Sequence, residues 1–254
     1  MSFLSRSKKH TTLSASRAEN LRLNEGSPFV IKEAYNAIRT KLMFTGRGEK
    51  CPILAITSSL ASDGKTTNAV SLAVSIAMAG QRVLLIDADM RKPSVHRYFG
   101  LDRRNGLSEI LAGLTSDIKL RKTNCEGLSV LTAGEIPPNP AELLGSKQMD
   151  NLLEYVRKYF DYVIIDTPPV NIVTDASVIA DRVTGYVFIV QSGKNHLRDV
   201  NDAVRKIEEM KGNIVGMVLN DPENKADAHY SNYYNRYYRY ARGKYYGESP
   251  EKHK

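Results

Sequence analysis

The feature that most constrains this chain is a loop between a short apolar segment and a segment of small residues. Residues 53–58 read ILAITS, and the loop at 59–66 reads SLASDGKT, a P-loop with Ser59 at its first glycine position. The segment SLAVSIAMAG at 71–80 then predicts a buried helix that ends at Gly80. A strand that turns into a helix N-terminus in this way aims backbone N–H groups and the helix dipole at one anion. The loop therefore predicts a site for nucleotide phosphates.

The residue types in this loop indicate separate roles. Lys65 would reach the β- and γ-phosphates, and the Thr66 hydroxyl would take one Mg²⁺ position. A serine-rich turn with an exposed lysine would also fit the bare pattern, but the strand before the loop and the helix after it favour phosphate binding. The loop residues that we predict to bind the nucleotide are Ser62, Asp63, Gly64, Lys65, Thr66 and Thr67.

Two further apolar runs end on carboxylates. Residues 83–87 read VLLID and are followed by Ala88 and Asp89, and residues 162–166 read YVIID. In a parallel α/β sheet, ligands bind outside the carboxyl ends of the strands, so these aspartates should converge on the P-loop. Turn formation by aspartate would explain one such end, but not two beside a P-loop. The pattern predicts metal-assisted phosphate chemistry.

Strand-like and helix-like segments alternate along the chain, which predicts an α/β P-loop NTPase fold with a mostly parallel sheet covered by helices on both faces. A helix opens at Ser27-Pro28 and precedes this core. The predicted strands are 53–58, 83–87, 128–131, 162–166, 186–191 and 214–219. The predicted core helices are 65–79, 106–112, 140–158, 174–180 and 197–211.

Composition divides the 254 residues into one domain and two tails. Residues 1–27 are polar and basic and are expected to be flexible, residues 28–221 form the P-loop domain, and residues 222–254 form a tyrosine-rich flexible tail. The chain has no apolar run of membrane-spanning length and no signal peptide, so a cytoplasmic protein is expected. Its net charge of +8 suits an anionic partner but carries little weight by itself.

The C-terminal tail consists largely of aromatic and basic residues and cannot form a core. Its tyrosines are Tyr230, Tyr233, Tyr234, Tyr237, Tyr238, Tyr240, Tyr245 and Tyr246. Such a tail could stack on single-stranded nucleic acid, be a sticky disordered end, or supply phosphate acceptors. The nucleotide site upstream favours acceptors, because a phosphoryl-transfer domain and a chain with eight hydroxyl groups have an obvious chemical relation.

Three segments together with this tail resemble the bacterial tyrosine kinases (BY-kinases) of capsular and exopolysaccharide synthesis. The segments read SSLASDGKTT, VLLIDADMRKPSVHRYFGL and FDYVIIDTPPV. In that family they are the Walker A, A′ and B motifs, which implies Lys65 and Thr66, Asp87 and Asp89, and Asp166 as their functional residues.

The resemblance implies an ATP-dependent kinase that phosphorylates tyrosines of its own tail, with ATP and Mg²⁺ as cofactors. Because the tail begins close after the last predicted strand while a site at the strand ends needs an extended acceptor, we expect transfer in trans. It also implies the split type of the family, in which a separately encoded membrane adaptor activates a cytoplasmic kinase and recruits it to the inner face of the plasma membrane. A homo-oligomer, with a ring as one form, and a cognate protein-tyrosine phosphatase are further expected partners. Nucleic acid is not expected as the primary partner.

Two departures from the family pattern concern the loop and the first helix. Family loops commonly have Pro-Gly where this chain has Ala61 and Ser62, and a serine forced to positive φ is strained by roughly 1 kcal/mol. The family's oligomerisation motif, Glu then Arg then Arg at three-residue intervals, here reads Glu33, Asn36, Arg39. We therefore expect the oligomer contact at Glu33 and Arg39.

Phosphoryl transfer depends on positioning and charge neutralisation, which assigns Lys65, Asp87, Asp89 and Asp166 as catalytic. We expect Thr66, Asp87 and Asp166 at the metal, directly or through water, and Asp89 in its water shell. Asp87 is also the candidate to orient or deprotonate the incoming tyrosine. Asn220 is either an adenine contact, as in related ATPases, or a turn residue before Asp221-Pro222.

Two other classes remain open from the sequence. A switch ATPase of the MinD and ParA kind would hydrolyse ATP without phosphorylating protein, but that class has a signature lysine where this chain has Leu60. A non-catalytic nucleotide sensor would use the basic aromatic tail to bind nucleic acid in a salt-dependent manner.

Overall fold

The structure is a computed structural model that describes residues 18–19, 21–45 and 48–220. The acceptor tyrosines that we predict in the tail lie outside these residues. The helices are α1 Phe29–Thr45, α2 Lys65–Met78, α3 Val95–Tyr98, α4 Leu107–Leu111, α5 Pro140–Leu144, α6 Lys147–Val156 and α7 Leu197–Glu209, with a 3₁₀ turn at Ser177–Ile179. The strands are β1 Ile53–Ser58, β2 Val83–Asp87, β3 Arg121–Lys122, β4 Leu128–Leu131, β5 Tyr162–Asp166, β6 Gly185–Gln191 and β7 Ile214–Asn220.

The described strands form one seven-stranded sheet in the order β3-β4-β2-β5-β1-β6-β7. All neighbouring pairs are parallel except β3 with β4. Every residue of β1 and β2 is buried, because helices cover both faces of a parallel sheet and its strands read as continuous apolar runs. The predicted P-loop α/β fold is confirmed, and β1 stands near the centre of the sheet with the P-loop at its carboxyl end.

Two hydrophobic clusters pack on opposite faces of the sheet. One contains Leu152 of α6 and Ile207 of α7, together with Phe188 of β6. The other contains Leu72 of α2 and Leu42 of α1. The second cluster fixes α2 against the sheet, so that the helix N-terminus lies where β1 ends.

Some predicted elements differ from the observed ones. The predicted helix over 140–158 is two helices, α5 and α6, because the backbone of Ser146 is extended with φ −80° and ψ 161° and so interrupts the helical turn. Between residues 174 and 180 only the 3₁₀ turn is helical. Strand β3 and helix α3 span two and four residues and carry no periodic pattern that would predict them.

The packed part of the chain extends upstream of residue 28, where composition placed the domain boundary. Ala18 and Leu23 are buried in the cluster that also holds α1 and α2. The Leu23 backbone N–H donates to Ser71 Oγ at 3.2 Å, which ties this segment to α2. In the part of the chain that the structure describes, no helix combines the length and hydropathy needed to cross a membrane.

Candidate active site

The P-loop between β1 and α2 has two residues in the left-handed region of the backbone. Gly64 has φ 90°, a conformation that favours glycine, and a Cβ atom on it would lie 2.2 Å from Asn220 Nδ2 and so would displace that amide. Ser62 has φ 63°, which costs an L-residue about 1–2 kcal/mol. In the family's Pro-Gly loops, glycine occupies the position of Ser62. The positive φ that we expected for such a position is present here.

Asp63 was predicted from the sequence to bind nucleotide, and the structure places its side chain inside the loop. The carboxylate is fully buried and accepts hydrogen bonds from Leu60 N at 2.9 Å, Asn195 Nδ2 at 3.1 Å and Lys194 Nζ at 2.8 Å. Asn220 Nδ2 donates to the Asp63 carbonyl at 2.9 Å. The carboxylate of Asp63 thus holds the loop together.

Helix α2 places three predicted site residues in its first turn. Lys65 is buried, with 7% of its surface exposed. Thr66 Oγ1 donates to Asp166 Oδ2 at 2.7 Å, which joins the P-loop to the end of β5. Thr67 Oγ1 lies 2.8 Å from the Tyr98 hydroxyl.

The two strand-end carboxylates lie side by side, because Asp87 of β2 and Asp166 of β5 are direct partners in the sheet register. Asp87 Oδ2 accepts from Ser94 N at 3.1 Å and from Val95 N at 3.0 Å. The other oxygen of each carboxylate, Oδ1, is buried and has no hydrogen-bond partner. Buried carboxylate oxygens that have no donor within the protein are suited to bind a water molecule or a cation.

These residues fit Mg²⁺ bound together with a nucleotide. Mg²⁺ takes oxygen ligands and is usually held by one or two carboxylates plus substrate phosphates. Thr66, Asp87 and Asp166 offer that donor set. Among the described residues no group of three or more His, Cys, Asp or Glu side chains is placed to hold a metal ion.

The pKa values of both carboxyl groups are raised. Burial raises the pKa of Asp166 to about 7 despite the nearby charge of Lys65 and the hydrogen bond from Thr66. Burial, followed by the charges of Asp166 and Asp89, raises the pKa of Asp87 well above its usual range. In the absence of a cation, ionising these groups therefore costs stability.

This pKa shift predicts how stability depends on pH. The folded protein binds more protons than the unfolded chain between the unperturbed pKa of Asp166, 3.8, and the folded value of about 7. The free energy of unfolding of the metal-free protein should therefore fall by a few kcal/mol, on the order of 1.4 per pKa unit, as pH rises from 5 to 8. Urea titrations of the unaltered chain and of Asp166→Asn measure this, and the variant should lose part of the decline. If the free energy of unfolding changed with pH in the same way in both proteins, the raised pKa of Asp166 would be contradicted.

Asp89 and Arg91 follow β2 at the rim of the site. Asp89 is partly buried and accepts from Lys92 N at 3.0 Å. Arg91 makes two hydrogen bonds to the fully buried Asp175, at 2.9 and 3.0 Å. This ion pair joins the segments that follow β2 and β5, and the sequence did not reveal it because the partners are 84 residues apart.

The predicted oligomer residues lie on α1. Arg39 Nη1 donates to the Ser75 carbonyl at 2.7 Å, so its guanidinium binds α2 of the same chain. Glu33 accepts from Asn36 Nδ2 at 2.9 Å. Both side chains are partly buried within the chain.

Comparisons with known proteins place this geometry in a family. The family described as an AAA domain matches residues 52–215. CapB of Staphylococcus aureus is 35% identical over 228 residues, which cover 89% of this chain and 98% of CapB. The tyrosine-protein kinase YwqD of Bacillus subtilis (strain 168) is 38% identical over 202 residues, 79% of this chain and 85% of YwqD. A solved structure of the chimerical protein CapA2B2 has a TM-score of 0.74 at 36% identity over 82% of this chain and 91% of that chain.

The loop, the paired carboxylates and the parallel sheet define a P-loop nucleotide-binding domain of the AAA class. Within that class the chain belongs to the bacterial tyrosine kinases of capsular and exopolysaccharide synthesis, and it is a tyrosine-protein kinase. This confirms the resemblance drawn from the three motifs. The division ATPase MinD of Pyrococcus furiosus has a TM-score of 0.59 at 22% identity over 69% of this chain and 74% of that chain, and this likeness concerns the fold alone.

Proposed function

We propose that this kinase transfers the γ-phosphoryl group of ATP, bound with Mg²⁺, to the tyrosines of residues 230–246 in a neighbouring copy. The observation that carries the proposal is the pair of buried, register-aligned carboxylates, Asp87 and Asp166, next to Thr66 and Lys65. Phosphoryl transfer needs this kind of site, because the enzyme mainly positions the reactants and neutralises charge.

The P-loop residues bind and orient the phosphates. The loop amides and Lys65 would hold the β- and γ-phosphates, and Thr66, Asp87 and Asp166 would hold the metal directly or through water. When bound, Mg²⁺ would neutralise the charge that develops on the phosphates. The Thr66 hydroxyl, which donates to Asp166 in this structure, would be a ligand of that metal. Asp89, at the rim of the site, would hydrogen-bond to water molecules around the metal.

Transfer forms a bond between the tyrosine oxygen and the γ-phosphorus and breaks the bond between that phosphorus and the oxygen that bridges to the β-phosphate. ADP leaves with that oxygen, and the phenol proton needs an acceptor. Asp87 is the proposed acceptor, because its free Oδ1 lies at the carboxyl edge of the sheet where the phosphates would be. An unperturbed phenol has a pKa near ~10, so it requires such a neighbour at neutral pH.

The acceptor comes from a second copy in this proposal. Asn220 ends β7 with its side chain on the P-loop, and the first tail tyrosine, Tyr230, follows ten residues later. The site at the strand ends needs an extended acceptor segment, which a neighbouring copy can present. We place the contact between copies at the α1 surface that carries Glu33 and Arg39.

The partners follow from the same family relation. A membrane-anchored adaptor activates the kinase and brings it to the inner face of the plasma membrane, and the similarity to the chimerical protein CapA2B2 supports such a partnership. A cognate protein-tyrosine phosphatase reverses the modification. The activity regulates capsular and exopolysaccharide synthesis, and nucleic acid is not the primary partner.

A mixing experiment tests the direction of transfer. Inactive Lys65→Met protein with an intact tail is incubated with active protein that lacks residues 229–254, in the presence of ATP and Mg²⁺. Because the only tyrosine-rich tail then belongs to the inactive partner, transfer between copies should place phosphate on that tail. Mass spectrometry maps the modified residues. The cytoplasmic segment of a candidate adaptor is added to a parallel sample and should raise the yield.

The control uses Lys65→Met protein alone, which should remain unmodified. Phosphate on the intact unaltered chain but none on the inactive partner would mean that transfer occurs within one chain. ATP hydrolysis without tyrosine phosphate in any sample would instead favour a switch ATPase.

A further inference from the structure

The P-loop is in contact with a second loop. Residues 60–63, which we call the crown of the P-loop, face the turn at residues 192–195 that joins β6 to α7. Lys194 Nζ donates to Asp63 Oδ1 at 2.8 Å and to the Ala61 carbonyl at 2.5 Å. Asn195 Nδ2 donates to Asp63 Oδ2 at 3.1 Å. We call Lys194, Asn195 and Asp63 the loop clamp.

The donor end of the clamp is anchored in the sheet. Ser192 N donates to the Asn220 carbonyl at 2.8 Å, and Asn195 N donates to the Gln191 carbonyl at 3.2 Å. The turn is therefore fixed to the ends of β6 and β7. Lys194 reaches across to the P-loop from this support, and 37% of its side chain is exposed, whereas the Asp63 side chain is fully buried.

The acceptor end of the clamp encloses the strained residue. Ser62, with φ 63°, stands between Ala61 and Asp63, and Lys194 holds the carbonyl of the first and the carboxylate of the second. A serine in the left-handed region of the backbone is strained and tends to return to an ordinary conformation. Such strain persists only where surrounding contacts hold the residue in place. The buried carboxylate also loses its compensating charge if Lys194 is removed.

We propose that Lys194 is a positioning residue that, through Asp63 and Ala61, holds the crown of the P-loop in the conformation that binds ATP despite the left-handed Ser62. The inference rests on the proposed function in one respect, that this loop binds the nucleotide. Without Lys194, the nucleotide-free loop leaves the binding conformation. Part of the free energy of nucleotide binding is then used to restore that conformation, so the affinity falls. Once phosphates are bound, they hold the loop amides themselves, so affinity changes more than the rate of transfer.

The test combines Lys194→Met with Ser62→Gly in the full chain. The dissociation constant of ADP with Mg²⁺ is measured by calorimetry, and the KM for ATP and kcat come from tail phosphorylation. Lys194→Met should raise the dissociation constant and KM by about tenfold, with kcat lowered less than about threefold. Glycine adopts positive φ without strain, so adding Ser62→Gly to Lys194→Met should recover at least about half of the lost binding free energy.

Lys206→Met is the matched control, because Lys206 is an exposed lysine on α7 away from the P-loop, and this variant should bind ADP as the unaltered chain does. An unchanged dissociation constant in Lys194→Met, a loss confined to kcat, or additive effects of the two substitutions would each overturn the proposal.

Melting curves without nucleotide check folding. If Lys194→Met does not fold, Lys194→Gln, which keeps one donor, is measured against the same criteria. Missing tail phosphorylation in the unaltered chain would count against the proposed function and leave the ADP measurements valid.

Discussion

Replacing Lys65 by methionine is expected to abolish tyrosine phosphorylation of the tail. The lysine is buried at the start of α2 and, in the proposed site, supplies the charge nearest the migrating phosphoryl group. Loss of one preorganised group that stabilises transition-state charge typically costs ~10²–10³ in rate, and in the proposed site the same group also binds the substrate phosphates. The measurement is phosphotyrosine on the tail after expression in a host without other tyrosine kinases.

The matched control for this variant is Lys50→Met, which removes an exposed lysine just before β1. It should leave the phosphorylation level unchanged. Melting curves of the two variants should agree, which would show that the P-loop substitution acts on chemistry rather than on folding. Tail phosphate on Lys65→Met protein, purified alone, would refute the assignment of this P-loop to phosphoryl transfer.

Asp87→Asn should separate activity from stability. The asparagine carbonyl can accept the hydrogen bonds from Ser94 N and Val95 N, while its amide takes the place of the unpartnered Oδ1. The substitution removes a fully buried carboxyl group whose raised pKa opposes folding at a pH above the value in the unfolded chain, so the metal-free protein should become more stable at pH 8, by about 1–2 kcal/mol. Phosphorylation should fall by at least ~10²-fold, because both a metal ligand and the proposed proton acceptor are lost.

Denaturant titration and a phosphorylation time course measure the two effects on the same sample. Asp117→Asn, at an exposed position between α4 and β3, is the control and should change neither quantity. Full activity in Asp87→Asn would exclude Asp87 as proton acceptor and as metal ligand. Reduced stability of Asp87→Asn would instead mean that the Asp87 carboxylate has a stabilising partner in the folded protein.

The central strands and the position of the site could be predicted from sequence because both depend on local patterns. The predicted limits of β1, β2 and β5 coincide with the observed strands, since each is an uninterrupted apolar run that ends on a polar residue. Parallel pairing then brings Asp87 beside Asp166, as expected from the rule that strand ends share one edge.

The contacts that hold the site together could not be predicted in the same way. Lys194 and Asp63 are separated by 131 residues, and an exposed turn lysine gives no local signal of its partner. The sequence suggested nucleotide contact for Asp63, whereas its carboxylate is used by the loop itself. Such pairings depend on how two loops meet above the sheet, which periodicity does not encode.

The position of Asn220 couples the C-terminal segment mechanically to the nucleotide site. This residue ends β7, its amide holds the Asp63 carbonyl, and the chain continues from it into the segment that carries the tyrosines. Tension applied to that segment would act on both hydrogen bonds of Asn220, the one that its carbonyl accepts from Ser192 N and the one that its amide donates to the Asp63 carbonyl. A partner that captures or releases the tail would therefore change the P-loop conformation through one residue.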